Sequence, residues 1–441
     1  MGDYVSYSAQ VTDLTKWRFE GVIYGRTQDP RMADGTHYMW APDVVRGKDG
    51  RYYLFYCPDD TIKSIGVAVC DTPAGRYEFY GIVQDKNGGY LGERPGDTIA
   101  FDPGVFIDDD GEIYLYCGNG PRVKKDIGKE PKASVVVKLC DDMITMKEEP
   151  RKLLPTLGEG EGTGFEGHEF FEASSIRKIN GLYYLVYSPV TLHQLCYAVS
   201  ERPDSGYKYG GVLVSNADLF EDDPEPKMRN TYGNDHGSIE IINGQYYIFY
   251  HRPTHRSMYS RQGLAEKITL RGDGTFEQAH MTSQGANSGP LPAKGIYPAS
   301  CVCILHGKAE PAIAHPLAMG KRHPYLTQDG PDFAVESEPE DALPPRQFIT
   351  CGKNGLVAGF RYFNVDRPVT IAVKVRGNMK GRLHVRTSEG GNDCGHINLV
   401  PVDSWKVFKG DFVIPQGVQE LYFVYEGRGR IEMLEFKFNG V

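Results

Sequence analysis

Four segments of the chain share one pattern, an Asp-Gly or Asn-Gly pair followed by a Tyr-rich run. They read DGRYYLFY at Asp49–Tyr56, DGEIYLY at Asp110–Tyr116, NGLYYLVY at Asn180–Tyr187 and NGQYYIFY at Asn243–Tyr250. Asn-Gly and Asp-Gly pairs are the strongest short signals for a hairpin turn, and Tyr, Phe, Val and Ile favour strands. Each segment is therefore predicted to be a turn followed by a strand.

The turn glycines recur at a regular distance of 61, 70 and 63 residues. A unit of three or four antiparallel strands with this period is typical of a β-propeller blade. The alternative is a set of unrelated hairpins in a β-sandwich. Because all four turns share the same local context, the pattern favours the propeller.

The beginning of the chain, MGDYVSYSAQVTDLTKWRFEGVIY at Met1–Tyr24, resembles the outer half of a blade. It has the order strand, Asp-containing turn and aromatic strand, as does VAVCDTPAGRYEFYGIV, which begins at Val67. The match predicts a five-bladed propeller whose first blade is incomplete. The turn of its inner hairpin is then expected about a dozen residues before Met1.

A fixed step along the repeat brings polar residues to equivalent positions. Nine residues before the four turn glycines lie Ala41, Asp102, Glu172 and Asp235. The step places them near the start of each inner strand, and inner strands line the channel of a propeller. We therefore expect these residues to meet at one mouth of the channel.

Aromatic residues precede three of these positions, namely Trp40, Phe101 and Phe171. Two carboxyl groups acting on an acetal, with aromatic faces that stack on sugar rings, are typical of a glycosidase. Simpler explanations exist for each polar residue alone. Asp102 precedes Pro-Gly as many turn residues do, Glu172 is compatible with a surface strand, and His236 with a satisfied polar core position.

Residues 3 to about 285 resemble glycoside hydrolase family 43. Members of that family are five-bladed propellers that cleave β-xylosides, α-L-arabinofuranosides and related glycans with inversion. The resemblance is carried by the segments FDPGVFIDDDGEIYLY, FEASSIRKINGLYYL, WAPDVVRGKDGRYYLFY, NDHGSIE and YHRPTHRSMYSRQG. It implies an enzyme that acts on xylose- or arabinose-containing fragments of plant polysaccharide.

The resemblance also implies roles for individual residues. Glu172 matches the general acid, and Asp102 matches the Asp that raises its pKa and orients the substrate. The third acid of the family, a base Asp on the first inner strand, is expected roughly 20 residues before Met1, which puts the activity of this chain in question. Sugar-binding roles fall to Trp40, Phe101, Phe171, His236 and Arg261, and His236 is also a candidate metal ligand.

Three other functions are compatible with the same residues: an impaired propeller that binds glycans without cleaving them, a retaining enzyme, and a protein-interaction scaffold. The resemblance requires no cofactor and allows a structural Ca²⁺. The expected partner is an oligo- or polysaccharide. The oligomeric state is left open.

After about residue 285 the pattern changes. We expect a linker at 286–300, which contains SGPLPAKGIYPAS, and a β-sandwich at 301–441 with short alternating strands. The last third of that region resembles the jelly-roll carbohydrate-binding modules of family 6. Its Trp405 suits either a core position or a sugar platform, and the domain would otherwise only brace the propeller.

The composition narrows the functional classes. The 441 residues have a net charge of −9 and no basic block, which argues against nucleic acid as a partner. No run approaches the roughly 20 apolar residues of a membrane helix. Nine scattered cysteines and no visible signal peptide favour reduced thiols and a cytoplasmic rather than a secreted protein.

Overall fold

The computed structural model of the chain is almost entirely β-structure. It describes residues 2–59, 61–257, 259–287, 289–315, 319, 321–330 and 346–440. These ranges also contain four 3₁₀ helices of three residues each, at Arg26–Gln28, Pro30–Met32, Lys124–Asp126 and Ala299–Cys301. None of the helices in the described ranges is long and apolar enough to cross a bilayer.

Five antiparallel sheets follow one another along the first part of the chain and form the blades of a propeller. The first has two strands, β1 (Tyr4–Gln10) and β2 (Asp13–Tyr24). The second has four, β3 (Met39–Arg46), β4 (Tyr52–Pro58), β5 (Gly66–Cys70) and β6 (Glu78–Ile82). The third also has four, β7 (Gly104–Ile107), β8 (Ile113–Asn119), β9 (Ala133–Leu139) and β10 (Arg151–Lys152).

The last two blades complete the ring. The fourth consists of β11 (Phe170–Ile179), β12 (Leu182–Pro189), β13 (Gln194–Ser200) and β14 (Lys208–Ser215). The fifth consists of β15 (Ser238–Ile242), β16 (Gln245–Pro253) and β17 (Arg261–Ile268). The predicted all-β propeller is thus confirmed.

The repeated Asn-Gly pairs form two-residue hairpin turns, as the sequence predicts. Ile179 pairs with Leu182 across one turn, and Ile242 pairs with Gln245 across another. Both residues of each turn have positive φ, +53° at Asn180 and +83° at Gly181 in the first of them. Because Asn and Gly tolerate this conformation best, the repeat places its turns where its composition allows them.

The blades are held together by apolar cores between neighbouring sheets. One core joins the second and third sheets, another the third and fourth, and another the fourth and fifth. The first and last sheets also touch, since the ring of Trp17 packs edge-on against Phe249 and the Asn243 side-chain amide donates to the Val11 carbonyl at 2.6 Å. The ring is thereby closed through side chains.

The C-terminal part is a sandwich of two sheets around one large core. One sheet contains β18 (Leu291–Pro292), β20 (Ile304–His306), β23 (Leu356–Val365), β25 (Lys380–Arg386), β26 (Asp393–Leu399) and β28 (Gly417–Arg428). The other contains β19 (Gly295–Pro298), β21 (Tyr325–Gln328), β22 (Gln347–Gly352), β24 (Val369–Gly377), β27 (Val402–Gly410) and β29 (Ile431–Gly440).

The segment expected as a linker, 286–300, is built into this sandwich. Its two short strands pair with different sheets, β18 with β23 and β19 with β29. Ala293 and Ala299 are buried in the sandwich core. Proline is tolerated in edge strands, and these strands pair over only two and four residues. The Pro- and Gly-rich composition is therefore compatible with short edge strands in this segment.

The propeller and the sandwich share a buried polar contact. The guanidinium of Arg361, on β23, forms an ion pair with Asp218 of the propeller, and both residues are buried. Arg252, on β16, donates from its guanidinium to the carbonyl groups of Val302 at 2.6 Å and Ser300 at 3.1 Å. The sandwich thus packs against the fifth blade.

One face of the Trp405 ring is covered by a neighbouring cation. Its ring packs edge-on against Phe348, and the Arg376 guanidinium lies 4.3 Å from its centroid. A cation over the ring occupies the surface that a sugar platform needs. This arrangement favours the structural interpretation of Trp405.

Candidate active site

A pocket of about 210 Å³ lies where the inner strands of the second to fifth blades begin. The seven residues to which the sequence assigns a catalytic or sugar-binding role all line it, and the full lining is Trp40, Ala41, Phe101, Asp102, Arg122, Phe171, Glu172, Leu192, Asn234, His236, Tyr259 and Arg261. Their convergence follows from the step of the repeat. Their roles in binding or catalysis remain predictions.

Glu172 occupies an irregular part of β11. The pairing of β11 with β12 shifts register on both sides of Glu172, and the next residue, Ala173, has φ +71°. Such a conformation is rare for a residue with a side chain and is typical of functional sites. The bulge turns the Glu172 carboxyl into the pocket, where the residue is only 5% exposed.

Each oxygen of the Glu172 carboxyl accepts a hydrogen bond from a side-chain amide. Asn234 donates to Oε1 at 2.7 Å, and Asn119 donates to Oε2 at 3.3 Å. The oxygens of these amides accept hydrogen bonds from cations. The Arg261 guanidinium donates to Asn234 Oδ1 at 3.2 Å, and the Lys132 ammonium donates to Asn119 Oδ1 at 2.8 Å. The two amides are thereby oriented with their NH₂ groups toward the carboxyl.

Asp102 lies beside Glu172 and is held by contacts with the second and fourth blades. Its Oδ2 accepts from the backbone N–H of Ala173 at 3.1 Å, and its own N–H donates to the Cys57 sulfur at 3.3 Å. Asp102 also has a positive φ of +48° and is 4% exposed. Its carboxyl is therefore fixed next to the residue that follows Glu172.

The surroundings raise the pKa of Glu172 to about 7. Burial is the largest cause, and the neighbouring Asp102 carboxyl is the second, while the Asn234 amide and the charges of Arg261 and His236 act in the opposite direction. Burial and a nearby like charge both disfavour the ionised form. A carboxyl with this pKa holds a proton at neutral pH and can donate it.

His236 and Asp235, neighbours in the sequence, point to different places. The Nδ1 atom of His236 is 3.6 Å from Asp102 Oδ2, so His236 faces the pocket. Asp235 is fully buried behind it and accepts from the backbone N–H groups of His236 and His251. The expectation that Asp235 reaches the channel mouth is therefore corrected, because its carboxyl satisfies backbone donors instead.

The apolar wall of the pocket is aromatic. The Trp40 ring lies 6.2 Å from Phe101 and 5.6 Å from Tyr259, measured between centroids. The Trp40 Nε1 has no acceptor among the described residues although it is buried. Aromatic faces suit a sugar ring, whose C–H faces can stack on them.

The sequence of the first two thirds of the chain decides the family. The model of glycosyl hydrolases family 43 matches residues 7–276. The chain belongs to glycosyl hydrolase family 43. A xylosidase/arabinosidase of Thermoclostridium stercorarium is 44% identical over 440 residues, which cover 99% of this chain and 90% of that protein.

Other similar proteins are more distant. A β-xylosidase of Xylanibacter ruminicola is 35% identical over 231 residues, which cover 48% of this chain and 65% of that protein. The crystal structure of a family 43 arabinoxylan arabinofuranohydrolase from Bacillus subtilis, in complex with cellotetraose, has a TM-score of 0.45 at 19% identity and covers 96% of this chain and 85% of that one. Membership in family 43 rests on the sequence matches and not on this superposition.

His236 stands beside one further possible metal ligand. Its imidazole Nδ1 lies 3.6 Å from the Asp102 carboxyl. In the described ranges no group of three or more His, Cys, Asp or Glu side chains is arranged to hold a metal ion. Calcium takes six to eight oxygen ligands, water among them, so the metal role of His236 stays a prediction.

Four functional candidates escaped the sequence analysis. The nine-residue step of the repeat leads to Asp235, and Asn234 is the residue directly before it in the sequence. Asn119, Arg122 and Tyr259 lie on loops or strand ends with no common step. A single sequence holds no signal that brings those three together.

Proposed function

We propose that this chain is a glycosidase for xylose- or arabinose-containing oligosaccharides, with Glu172 as the general acid. The observation that carries this proposal is the buried Glu172 carboxyl, whose pKa is about 7 and which lies in an aromatic pocket beside Asp102. The match to a xylosidase/arabinosidase over nearly the whole chain supports the substrate class.

In the proposed reaction the Glu172 carboxyl protonates the oxygen of the leaving group as the glycosidic bond breaks. Asp102 keeps Glu172 protonated through its charge and is placed to accept hydrogen bonds from sugar hydroxyls. Trp40 and Phe101 pack against each other and form one aromatic wall on which the sugar ring can stack. In the same step water attacks the anomeric carbon from the opposite side and loses a proton, which inverts the configuration.

Inversion also needs a base that activates the water. In the described part of the chain, the carboxyl groups that line the pocket are Asp102 and Glu172. Because a positioned base contributes about 10²–10⁴-fold, we expect slow hydrolysis by this pocket as it stands. This same observation favours a second candidate function, a propeller that binds glycans with little or no turnover.

A small nucleophile separates the two functions. Sodium azide can replace activated water, since it attacks the anomeric carbon without a base and expels a nitrophenolate that needs no proton. We expect azide to raise the turnover of nitrophenyl β-xyloside or α-L-arabinofuranoside at least about tenfold and to give a glycosyl azide of inverted configuration.

The other outcomes of the azide experiment also distinguish the two functions. Fast hydrolysis without azide would show that the protein supplies its own base and would overturn the expectation of slow turnover. Sugar binding by calorimetry without turnover in either condition would favour the glycan-binding propeller. A product of retained configuration from hydrolysis would contradict the inverting mechanism.

A further inference from the structure

A basic loop borders the pocket after the end of β8. From Pro121 to Lys132 the chain carries five basic and two acidic side chains, in a protein with a net charge of −9. The first of the basic residues, Arg122, lines the pocket. Positive charge is thus concentrated in a loop that begins at the pocket, in an otherwise acidic protein.

The loop is anchored on the strand that carries Glu172. The backbone N–H of Gly120 donates to the Phe171 carbonyl at 2.6 Å. A Cβ at position 120 would lie 2.3 Å from the Phe170 carbonyl oxygen, so only glycine allows this approach. Pro121 is buried. Arg122 is therefore held close to the strand of Glu172.

The acidic side chains of the loop already have partners. Asp126 forms an ion pair with Lys129 at 2.9 Å, and Glu130 faces Lys63 at 4.0 Å. They are therefore poorly placed to neutralise the rest of the loop.

Among the described residues four cations of the loop have no acidic partner; one of them, Lys132, donates to the Asn119 side chain at 2.8 Å, and three are left. Within the described residues, Arg122, Lys124 and Lys125 have no carboxylate within 4.0 Å, and all three are exposed. We call these three residues the cationic rim. Unpaired cations beside a binding pocket attract anionic ligands and raise their local concentration.

We propose that the cationic rim binds the carboxylate of a uronic acid in the substrate, which makes an acidic oligosaccharide the preferred ligand. This inference rests on the proposed function, because it assumes that the pocket holds a neighbouring sugar of the same chain. Carboxylate is the charged group that uronic acids bring to a glycan, and the Arg122 guanidinium can bind it in a bidentate manner.

The test compares two oligosaccharides with the same neutral xylose backbone, one of which carries a glucuronic acid branch. Their binding is measured by calorimetry, which does not depend on turnover. At about 0.02 M salt we expect the acidic ligand to bind about fivefold more tightly. At about 0.5 M salt the preference should nearly vanish, because the charges of the rim are screened.

Variants locate the effect. Arg122→Gln and the double change Lys124→Glu with Lys125→Glu should each lower the ratio of the two affinities toward one or below it. The matched control is Lys409→Glu, an exposed lysine on β27 of the sandwich, and it should keep the full preference.

Equal affinity for the two ligands at low salt would overturn the inference, and so would a preference that survives in both rim variants. In those cases, binding of the neutral ligand would leave the proposed function intact. If neither ligand binds, the proposed function fails together with this inference.

Discussion

Two buried carboxyl groups of the propeller, Glu172 in the pocket and Asp29 between the first two blades, have opposite pKa shifts. Both are nearly inaccessible, 5% and 0% exposed. Burial alone would raise the pKa of Asp29, but the bidentate Arg31 guanidinium and the Tyr56 hydroxyl, at 2.6 Å, hold it below its ordinary value. The pKa of Glu172 is instead raised to about 7.

The two pKa shifts differ because the two carboxyl groups have different hydrogen-bonding partners. Asp29 touches a cation at 2.6 Å, whereas Glu172 touches two neutral amides and stands beside another acid. A carboxylate paired with a buried guanidinium stabilises the fold and stays charged. A carboxyl that receives only amide hydrogen bonds next to Asp102 can keep its proton near neutral pH, as a general acid requires.

The strongest challenge to this comparison is removal of the proposed acid. Glu172→Gln should lower the turnover of a poor leaving group, such as the second sugar of xylobiose, about 10²–10⁴-fold. A nitrophenyl glycoside should lose much less, because its leaving group needs no proton. Both rates are measured with azide present, so that the attacking step is the same.

The matched control for this change is Glu169→Gln. Glu169 belongs to the same segment and is also buried, but it does not line the pocket. Equal losses in the two variants, or equal losses on the two substrates, would contradict the role of Glu172.

Asp29 should matter for the stability of the fold and not for the pH dependence of activity. Asp29→Asn leaves the Arg31 guanidinium buried without its counter-charge and should cost about 3–5 kcal/mol of unfolding free energy at pH 7. Because the pKa of Asp29 is lowered in the folded state, the difference from the unchanged protein should shrink as pH falls below about 4. Urea unfolding at several pH values measures this.

An exposed ion pair supplies the comparison. Asp141→Asn removes the partner of Lys48 at the surface and should leave the urea midpoint nearly unchanged, since exposed pairs contribute little. A similar effect of both variants would mean that the burial of Asp29 does not set its contribution.

Asp102→Asn sharpens the electrostatic part of the account. Its negative charge is the second cause of the raised pKa of Glu172, so its loss should lower that pKa by about one unit. The acid must be protonated to act, and the alkaline limb of the kcat/KM profile should move to lower pH by the same amount. An unmoved limb would show that burial alone sets the pKa.

The smallest expected effect concerns the Lys132–Asn119 contact. Lys132→Met removes the cation that fixes the Asn119 amide and should lower kcat about two- to fivefold, with little change in KM. Lys132→Arg should restore most of kcat because it keeps the donor. A fall that Arg does not rescue would point to packing and not to orientation of the amide.

The sequence predicted the parts of the site that the repeat fixes. The nine-residue step leads from the turn to the beginning of an inner strand in the second to fifth blades, so Asp102 and Glu172 fall at equivalent places. The same step was wrong for Asp235, because register gives the position of a backbone atom and not the direction of its side chain. In the structure that carboxyl binds backbone N–H groups.

The rest of the site depends on contacts between blades. Asn119 and Asn234 reach one carboxyl from the third blade and from the segment before the fifth. No spacing in a single sequence relates those two positions. The short strands within 286–300 have a similar origin, since they are defined by partners more than 60 residues away, such as Phe363 on β23.

The most direct test of the account is the titration of the Glu172 carboxyl itself. Protein labelled with ¹³C at the glutamate side-chain carboxyl is titrated by NMR, and the Glu172→Gln variant identifies the resonance by its loss. Identification matters because burial also raises the pKa of Glu266, to about 8. We predict that the resonance lost in the variant titrates near pH 7; a midpoint at the ordinary value near 4.5 would contradict the assignment of Glu172 as the protonated acid.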